Sequence, residues 1–393
     1  MAFSYTPEAL AERAAALAPK LRERAPAASR ARQLDPQAIK DFSDYGLWYL
    51  LKPRRHGGPE LRYDVVLETA NILARGDGSA AWVWAVTGVH DLFVAYYPEA
   101  AQREYWAEDG TLSASAFAPT GKVAPAPGGW TLTGRWGFCS GIDHARWLLL
   151  GAAAGMLSSN PLLPDIRYVM LPAGDVRIID DWHVLGLRGT GSKSVACEGV
   201  FVPEHRMVAA SDLVAGTSPG AKLDPNPLYR APVWSLFPFA IAASAAGIAQ
   251  GACESFIAEM RARESGFDHS PLARKPNIQM RLAEATALAD AAHLLYRRSL
   301  RETIDVIMSG GTLSLDRRLR SRRDQTYGNV MARRAVEILL TAQGGRGLFE
   351  NGPVQRAFRD LTAIQAHIVG GWDIVALNYG QVALGGAPDN PMF

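Results

Sequence analysis

Cysteine is scarce in this chain and never occurs in a metal-binding spacing. The 393 residues contain three cysteines, Cys139, Cys197 and Cys253, which lie far apart and form no CxxC pair. Such a set excludes a cysteine-ligated zinc or iron–sulfur site and a disulfide framework. We therefore predict no metal site and a reducing compartment, the cytoplasm.

The chain also lacks an excess of charge of one sign and an apolar leader. Its formal net charge is +2 with 20% charged residues, which argues against nucleic acid as the main partner. The first twenty residues are amphipathic, unlike a secretory signal. The one long apolar tract, residues 231–252, contains prolines and many small residues, which favours a packed helix over a membrane span. A soluble protein with no membrane partner is expected.

Three regions with different residue patterns follow one another along the chain. Residues 1–110 are largely of helical periodicity, residues 111–212 consist of short alternating runs broken by Gly and Pro, and residues 225–393 return to long amphipathic segments. This order predicts an α+β multidomain protein with an N-terminal helical domain, a central antiparallel β-barrel and a C-terminal four-helix bundle. The four predicted bundle helices are 232–264, 275–309, 314–344 and 353–384.

Further helices are predicted in the N-terminal region. Ser79 is expected to cap an apolar helix that contains His90. For His90 alone, a core histidine with a satisfied hydrogen bond is the simpler interpretation. The other helices of this region are predicted at residues 7–24, 35–51 and 63–75.

One stretch of the middle region, residues 134–152, combines strand patterns with a polar break. Trp136 and Phe138 alternate as in a half-buried strand, Ser140 and Gly141 interrupt it, and an apolar run from Trp147 predicts the next strand. The break favours either a functional turn that presents the Ser140 hydroxyl or an ordinary hairpin with a structural serine.

Four motifs in this order resemble the acyl-CoA dehydrogenase superfamily over essentially the full length. They are LARGDGSAAW, GRWGFCSG, GLRGTGSKSVACEGVFVPEHR and GGRGLFENGPVQRAFRD. The resemblance implies that superfamily's fold, a homotetramer, and a flavin between the β-barrel and the C-terminal bundle.

The chain departs from the dehydrogenases where their catalytic carboxylate is common. Ile368, preceded by His367, occupies that position, and isoleucine cannot abstract a proton. The chain therefore resembles the branch of two-component flavin monooxygenases more closely. An acyl-CoA dehydrogenase or oxidase with a displaced base, at Glu254 or Glu259, stays open, as does oxidation of nitrogen or sulfur on the same fold.

This branch uses reduced flavin, FMNH2 or FADH2, and O2 as co-substrate. The resemblance implies oxygen transfer through a C4a-hydroperoxyflavin to a small aromatic substrate, phenolic or indolic. The chain has no GxGxxG fingerprint after a strand, so a separate NAD(P)H:flavin reductase is the expected partner.

The resemblance also assigns roles to individual residues. Ser140 and Ser115 are the expected catalytic hydroxyls, and His90 or His367 is the expected base for a phenol. Trp82, Phe93 and Trp372, together with the two histidines, are predicted to contact the substrate, although aromatic residues at helical spacing are more often plain core. The predicted flavin-binding residues are Ser115, Phe138, Ser140, Arg188, Thr190, Gly191, Ser192, Arg263, Gln343, Gly344 and Gly345.

Overall fold

Six α-helices precede the sheet in the computed structural model, which describes residues 3–157, 160–266 and 268–388. The helical pattern of the N-terminal region is therefore confirmed. These helices are α1 (Pro7–Ala31), α2 (Pro36–Asp44), α3 (Asp64–Ala74), α4 (Gly78–Gly88), α5 (His90–Ala95) and α6 (Glu99–Tyr105).

Several boundaries in this region differ from the prediction. Asp77, and not Ser79, is the N-cap of α4, because Asp77 is extended and its Oδ1 accepts a hydrogen bond from the Ser79 N–H at 3.1 Å. The apolar run is also divided at Val89, so that His90 begins α5. The second helix ends early, at Asp44.

Seven strands form one sheet in the part of the chain that the structure describes, in the order β5-β6-β2-β1-β3-β4-β7. The prediction of an entirely antiparallel sheet is wrong, because β1 lies between β2 and β3 and runs parallel to β3. β5 and β7 are the ends of this order, and closure into a barrel stays a prediction. The strands are β1 (Ser113–Ala126), β2 (Gly129–Cys139), β3 (Trp147–Leu157), β4 (Asn160–Pro172), β5 (Arg177–Ile179), β6 (Lys193–Pro203) and β7 (Met207–Ala209).

A buried indole side chain connects β2 to β3 across the intervening strand β1. Trp136 is 1% exposed, and its Nε1 donates a hydrogen bond to the Gly151 carbonyl at 2.7 Å. A Cβ at Gly121 on β1 would come within 2.1 Å of this ring, so only glycine fits there. The predicted break after β2 is present as a short 3₁₀ turn, Ile142–His144, before β3.

The C-terminal region contains four long helical segments after the short helix α7 (Ala210–Ala215), but the last segment is broken. Its two parts, α11 and α12, are separated by residues 367–371, where Gly370 and Gly371 donate their N–H groups to the His367 carbonyl at 2.7 and 3.0 Å. The prediction of one continuous helix over 353–384 is therefore wrong. The helices are α8 (Val233–Ala262), α9 (Pro276–Met308), α10 (Leu315–Ala342), α11 (Pro353–Ala366) and α12 (Trp372–Ala383).

Helix α8 is the central core helix. By length and composition it resembles a membrane span, yet 94% of its apolar window is buried inside the protein. Small residues allow this: a Cβ at Gly247 would lie 2.1 Å from the Asn71 carbonyl oxygen of α3. The close approach of the two helices explains the Ala- and Gly-rich composition.

One buried carboxylate joins the turn after β5 to the C-terminal helices. Asp360 of α11 accepts a hydrogen bond from the Leu187 N–H at 2.6 Å, and Leu187 has a left-handed φ of 52°. Burial and, to a smaller extent, the charge of nearby Asp77 together raise the pKa of Asp360 to about 7, although the hydrogen bond from Leu187 opposes this shift. The turn that carries Thr190 is thus fixed against α11, while the division into domains 1–110, 111–212 and 225–393 stays a prediction.

Candidate functional site

A cavity of about 600 Å³ lies where the sheet meets helices α4, α8, α10 and the end of α11. Its size is in the range of small-molecule sites. Most of its wall is apolar and aromatic, including Phe117, Tyr168, Trp234 and Phe237. Five of the predicted site residues line it: Trp82, Ser115, Phe138, Ser140 and His367.

The Ser140 hydroxyl is held from two sides. Trp82 Nε1 donates a hydrogen bond to Ser140 Oγ at 3.1 Å, and Ser192 Oγ lies 2.8 Å from the same atom. Ser192 continues to Thr190 Oγ1 at 2.6 Å, and Thr190 donates to the Leu187 carbonyl at 2.8 Å. A chain of hydroxyls therefore connects the cavity wall to the fixed turn.

His90 lies behind the cavity wall and contacts it through Ser115. Its Nδ1 is 3.0 Å from the Ser113 carbonyl oxygen, which can only accept, so Nδ1 carries the proton. Nε2 is then the acceptor for the Ser115 hydroxyl at 2.9 Å. Burial lowers the pKa of His90 to about 4, so the ring is neutral. Ser115 and His90 together form a proton-accepting pair.

His367 has the opposite tautomer. The Val369 N–H donates to His367 Nδ1 at 3.2 Å, so the proton of the neutral ring must be on Nε2. Burial, and then the charge of Arg322, lower the pKa of His367 to about 4. The ring packs edge-on against Trp82 with centroids 5.5 Å apart. His367 is therefore a fixed hydrogen-bond donor at the break between α11 and α12.

Phe138 offers an exposed aromatic ring beside these hydroxyls. It has a φ of 65°, which is strained for a non-glycine residue, and its side chain is 71% exposed although it lines the cavity. Its ring contacts Trp182 edge-on at 5.9 Å. A planar, partly apolar group fits such a surface, and the hydroxyls of Ser115 and Ser140 supply its polar partners. The residues present fit an isoalloxazine ring.

The turn Arg188–Thr190 fits the phosphate-bearing part of the same group. Gly191 after it has a φ of 56°, and a Cβ there would come within 2.6 Å of Asp143 Oδ2. Arg188 Nε is buried with no hydrogen-bond partner among the described residues. An unpaired guanidinium nitrogen at a glycine turn is a suitable partner for an anion.

Arg263 and Gln343 meet elsewhere, at a shared glutamate. Arg263 donates to Glu259 Oε1 at 2.5 Å, and Gln343 Nε2 donates to Glu259 Oε2. Gly344 follows with a φ of 63°. These residues, with Gly345, are not part of the cavity wall. Their role in flavin binding stays a prediction.

Besides His90, two residues that were predicted to contact the substrate are not in the wall. Phe93 stacks on Phe117, with centroids 4.3 Å apart, and so supports a wall residue from behind. Trp372 begins α12 and packs against Tyr327 at 5.1 Å. It does not line the cavity.

Comparison with known proteins identifies this arrangement. Residues 239–371 match the family described as acyl-CoA dehydrogenase, C-terminal domain. The chain is 32% identical to the oxygenase component of the FADH2-dependent resorcinol hydroxylase of Rhizobium sp. (strain MTP-10005), covering 96% of this chain and 95% of that protein. The chain belongs to the oxygenase components of flavin-dependent monooxygenases.

Solved structures agree with this oxygenase assignment. The crystal structure of 3-HSA hydroxylase from Rhodococcus sp. RHA1 is 30% identical with a TM-score of 0.90, covering 97% of this chain and 98% of that one. XiaF from Streptomyces sp., solved in complex with FADH2 and glycerol, is 25% identical with a TM-score of 0.88, covering 98% and 97%. The acyl-CoA dehydrogenase-like fold and the use of reduced flavin are thereby confirmed.

No carboxylate lines the cavity of the oxygenase within the described residues. Glu254 pairs instead with Arg22 at 2.8 Å and with Arg75 at 3.6 Å, while Glu259 binds Arg263. Ile368 lines the cavity and is 82% exposed. A displaced base for α-proton abstraction is therefore not found at either glutamate that the sequence offered.

Helix α10 contributes wall residues that the sequence analysis did not identify. Arg318, Ser321 and Arg322 line the cavity, as does Thr303 of α9. The segment RRLRSRRDQ has the composition of a solvated helix face, so no signal marked it as part of a cavity. Only the packing of α10 against the break after α11 brings two of its arginines inside.

Cys139, beside Ser140, is a core residue. It is 0% exposed, and burial raises the pKa of its thiol to about 12. His183 lies on the other side of the turn, 3.2 Å from Arg32, and does not line the cavity. Neither side chain is part of the reactive set.

We expect neither cavity histidine to titrate above pH 5. Histidine-specific NMR of the Cε1 signals checks this, with His90→Asn and His367→Asn for assignment. The folded pKa values, about 4, lie below the unfolded value of about 6.5, so the stability from the neutral rings is present above pH 6.5 and is lost as pH falls towards 4.

Global unfolding does not isolate this effect. Burial raises the pKa values of Asp91 and Asp360 to about 7. Ionisation of these two carboxyls therefore lowers the free energy of unfolding as pH rises through the same interval. The NMR titration is therefore the decisive measurement. A midpoint near 6.5 for either ring would contradict the neutral, buried environment.

Proposed function

We propose that this oxygenase hydroxylates a small aromatic substrate, phenolic or indolic, with O2 and reduced flavin from a separate NAD(P)H:flavin reductase. The observation that carries the proposal is the pairing of the Ser115 hydroxyl with neutral His90 at a cavity whose described wall residues include no carboxylate. Relatives named for resorcinol and for indole-3-acetate support an aromatic substrate. Those named as oxygenase components support a separate reductase.

The flavin ring would be held by Phe138, Ser140 and Ser115, and its phosphate-bearing chain by the turn with Arg188, Thr190, Gly191 and Ser192. When bound, reduced flavin supplies the two electrons that activate O2 for transfer of one oxygen atom. The protein excludes water with its aromatic wall and keeps a hydroxyl, Ser140, fixed at the place of reaction.

The two histidines divide the proton chemistry of a phenolic substrate. The Ser115 hydroxyl donates to His90 Nε2, so its oxygen lone pairs are available to accept the phenol proton. Removal of that proton makes the ring carbon more electron-rich. His367 cannot take this role in its ground state, because its Nδ1 already accepts from the Val369 N–H. Its Nε2–H is left to donate to an oxygen atom of a bound ligand.

Assembly and location are proposed with the function. Large apolar side chains that are each more than half exposed, Met280 and Leu294 on α9 and Ile374 and Leu377 on α12, support burial between subunits of a homotetramer. In such an assembly, Arg263 would reach the flavin phosphate of a neighbouring subunit. The three domains, a closed β-barrel and a cytoplasmic location belong to the same proposal.

The proposed function is tested by supplying chemically reduced FMN or FAD and O2 to the purified protein with a panel of phenols and indoles. We expect a hydroxylated product that carries label from ¹⁸O2, detected by mass spectrometry. Heat-denatured protein is the control for reactions of free flavin. Failure to form labelled product from any phenol or indole, or reduction of bound flavin by an acyl-CoA, contradicts the proposal.

A further inference from the structure

Two cations face an otherwise apolar cavity from one helix. Arg318 and Arg322 lie one turn apart on α10, so both side chains are on the same face of the helix. Within the described residues, the cavity wall contains no Asp or Glu to balance them. This side of the cavity is therefore strongly positive.

Arg318 differs from other arginines on α10. Arg320 pairs with Glu302, and Arg323 with Asp324 at 2.6 Å, so each of these has an acidic partner. For Arg318, in contrast, no hydrogen bond or ion pair is found among the described residues, and its Nε is buried without a partner. Its positive charge is thus available to a group inside the cavity.

Two of the groups that hold Arg322 are neutral. Arg322 is 6% exposed, and it donates to Gln325 Oε1 at 2.7 Å and to the Val369 carbonyl at 3.0 Å. Neither acceptor carries a negative charge. Because the second bond ends two residues from His367, Arg322 also fixes the segment that positions that ring.

A hydroxyl lies between the two arginines. Ser321 lines the cavity, and its Oγ accepts a hydrogen bond from Gln325 Nε2 at 3.3 Å. The hydroxyl proton of Ser321 is then left to donate to a ligand. Placing a cation in an apolar wall is unfavourable unless an anion compensates it, and a carboxylate bound by guanidinium and hydroxyl donors supplies this compensation.

We infer that the aromatic substrate carries a carboxylate, which Arg318 binds together with Ser321 while Arg322 contributes its positive charge. This inference rests on the proposed function and narrows the substrate class to aromatic acids. Carboxylate, and not flavin phosphate, is the assigned anion, because the phosphate has its own donors at the turn Arg188–Thr190, outside the cavity wall.

The binding test uses no flavin and a matched pair of probes, para-hydroxyphenylpropanoate and its primary amide. Tryptophan fluorescence reports binding, since Trp82 and Trp234 line the cavity. We expect the acid to bind about tenfold more tightly than the amide, and Arg318→Gln to remove this preference with less than a twofold change for the amide. Arg317→Gln, an exposed arginine on the same helix, is the matched control and should leave both affinities unchanged.

Equal binding of acid and amide by the unaltered protein, or binding of neither, overturns the inference. It is also overturned if Arg318→Gln weakens FMN but not riboflavin, because the arginine would then serve the cofactor phosphate. If a neutral phenol is hydroxylated while acid and amide bind alike, the proposed function stands and this inference alone fails. Acid preference without hydroxylation of any phenol would instead remove the proposed function and leave the anion subsite.

Discussion

Replacing Ser140 with alanine is expected to accelerate the release of H2O2 from the complex of protein, reduced flavin and O2 by about a hundredfold in the absence of substrate. The Ser140 hydroxyl at the cavity wall is held simultaneously by an indole N–H and by a second hydroxyl. Its loss removes the fixed hydrogen-bonding partner beside the site where oxygen is activated. A peroxidase-coupled assay after rapid mixing measures the rate.

A second readout separates this role from a loss of structure. Ser140→Ala also leaves Trp82 Nε1 without its acceptor, so we expect the free energy of unfolding to fall by about 1–3 kcal/mol. Ser255→Ala is the matched control, because Ser255 donates to the Gly251 carbonyl at 2.8 Å on α8, away from the cavity wall. It should change stability without changing H2O2 release. An unchanged H2O2 release rate in Ser140→Ala would refute the proposed role of this hydroxyl.

The second large effect is expected for His90→Asn with a phenolic substrate. Asparagine can preserve the hydrogen bond to the Ser113 carbonyl, but it has no atom at the position of Nε2, so Ser115 loses its acceptor. We expect product formation to fall by about 10²-fold or more, since general-base assistance contributes about 10²–10⁴. Flavin oxidation continues, and H2O2 replaces the hydroxylated product. Product per flavin oxidised is the quantity to measure.

His56→Asn is the control for this variant. His56 is also a shielded histidine whose pKa burial lowers to about 4, but its ring packs against Trp106 in a tilted arrangement with centroids 4.6 Å apart, and it is outside the cavity wall. This variant should form as much hydroxylated product per flavin oxidised as the unaltered protein. The substrate-free H2O2 rate should be unchanged in His90→Asn, in contrast to Ser140→Ala. If product formation by His90→Asn stays within about threefold, the base role fails, and oxidation at nitrogen or sulfur, which needs no phenol base, becomes the better explanation.

The sequence predicted those parts of the site that depend on short-range patterns. Ser140 follows a recognisable strand and precedes a glycine, and the three-residue turn from Arg188 carries its own glycines, so both could be identified along the chain. That the two meet through Ser192 depends on β2 pairing with β6. No periodicity within either segment determines that pairing.

The features that the sequence did not predict depend on long-range packing. Nothing in the pattern shows that β1 is inserted between β2 and β3, because alternating strands of this length are compatible with a simple antiparallel order. The arginines of α10 have the composition of an exposed helix, and only the tertiary structure buries Arg322. The proton positions on His90 and His367 likewise depend on backbone partners that sequence patterns do not reveal. The partner of His90 is the Ser113 carbonyl, which is distant in the chain, and that of His367 is the Val369 N–H in the irregular gap after α11.

The interruption between α11 and α12 has a consequence for how this scaffold can diversify. Four consecutive residues at the end of α11 and in the gap, residues 366–369, all line the cavity. Three of them lie outside any helix, where substitution disturbs little regular hydrogen bonding. Substitution of Ala366, Ile368 and Val369, with His367 retained, can therefore reshape the substrate side of the cavity while the hydroxyl chain on the sheet side is left intact. On this fold, residues that shape the substrate side of the cavity lie at the end of a single helix. They can therefore change under selection for a new substrate while the residues for oxygen chemistry are retained.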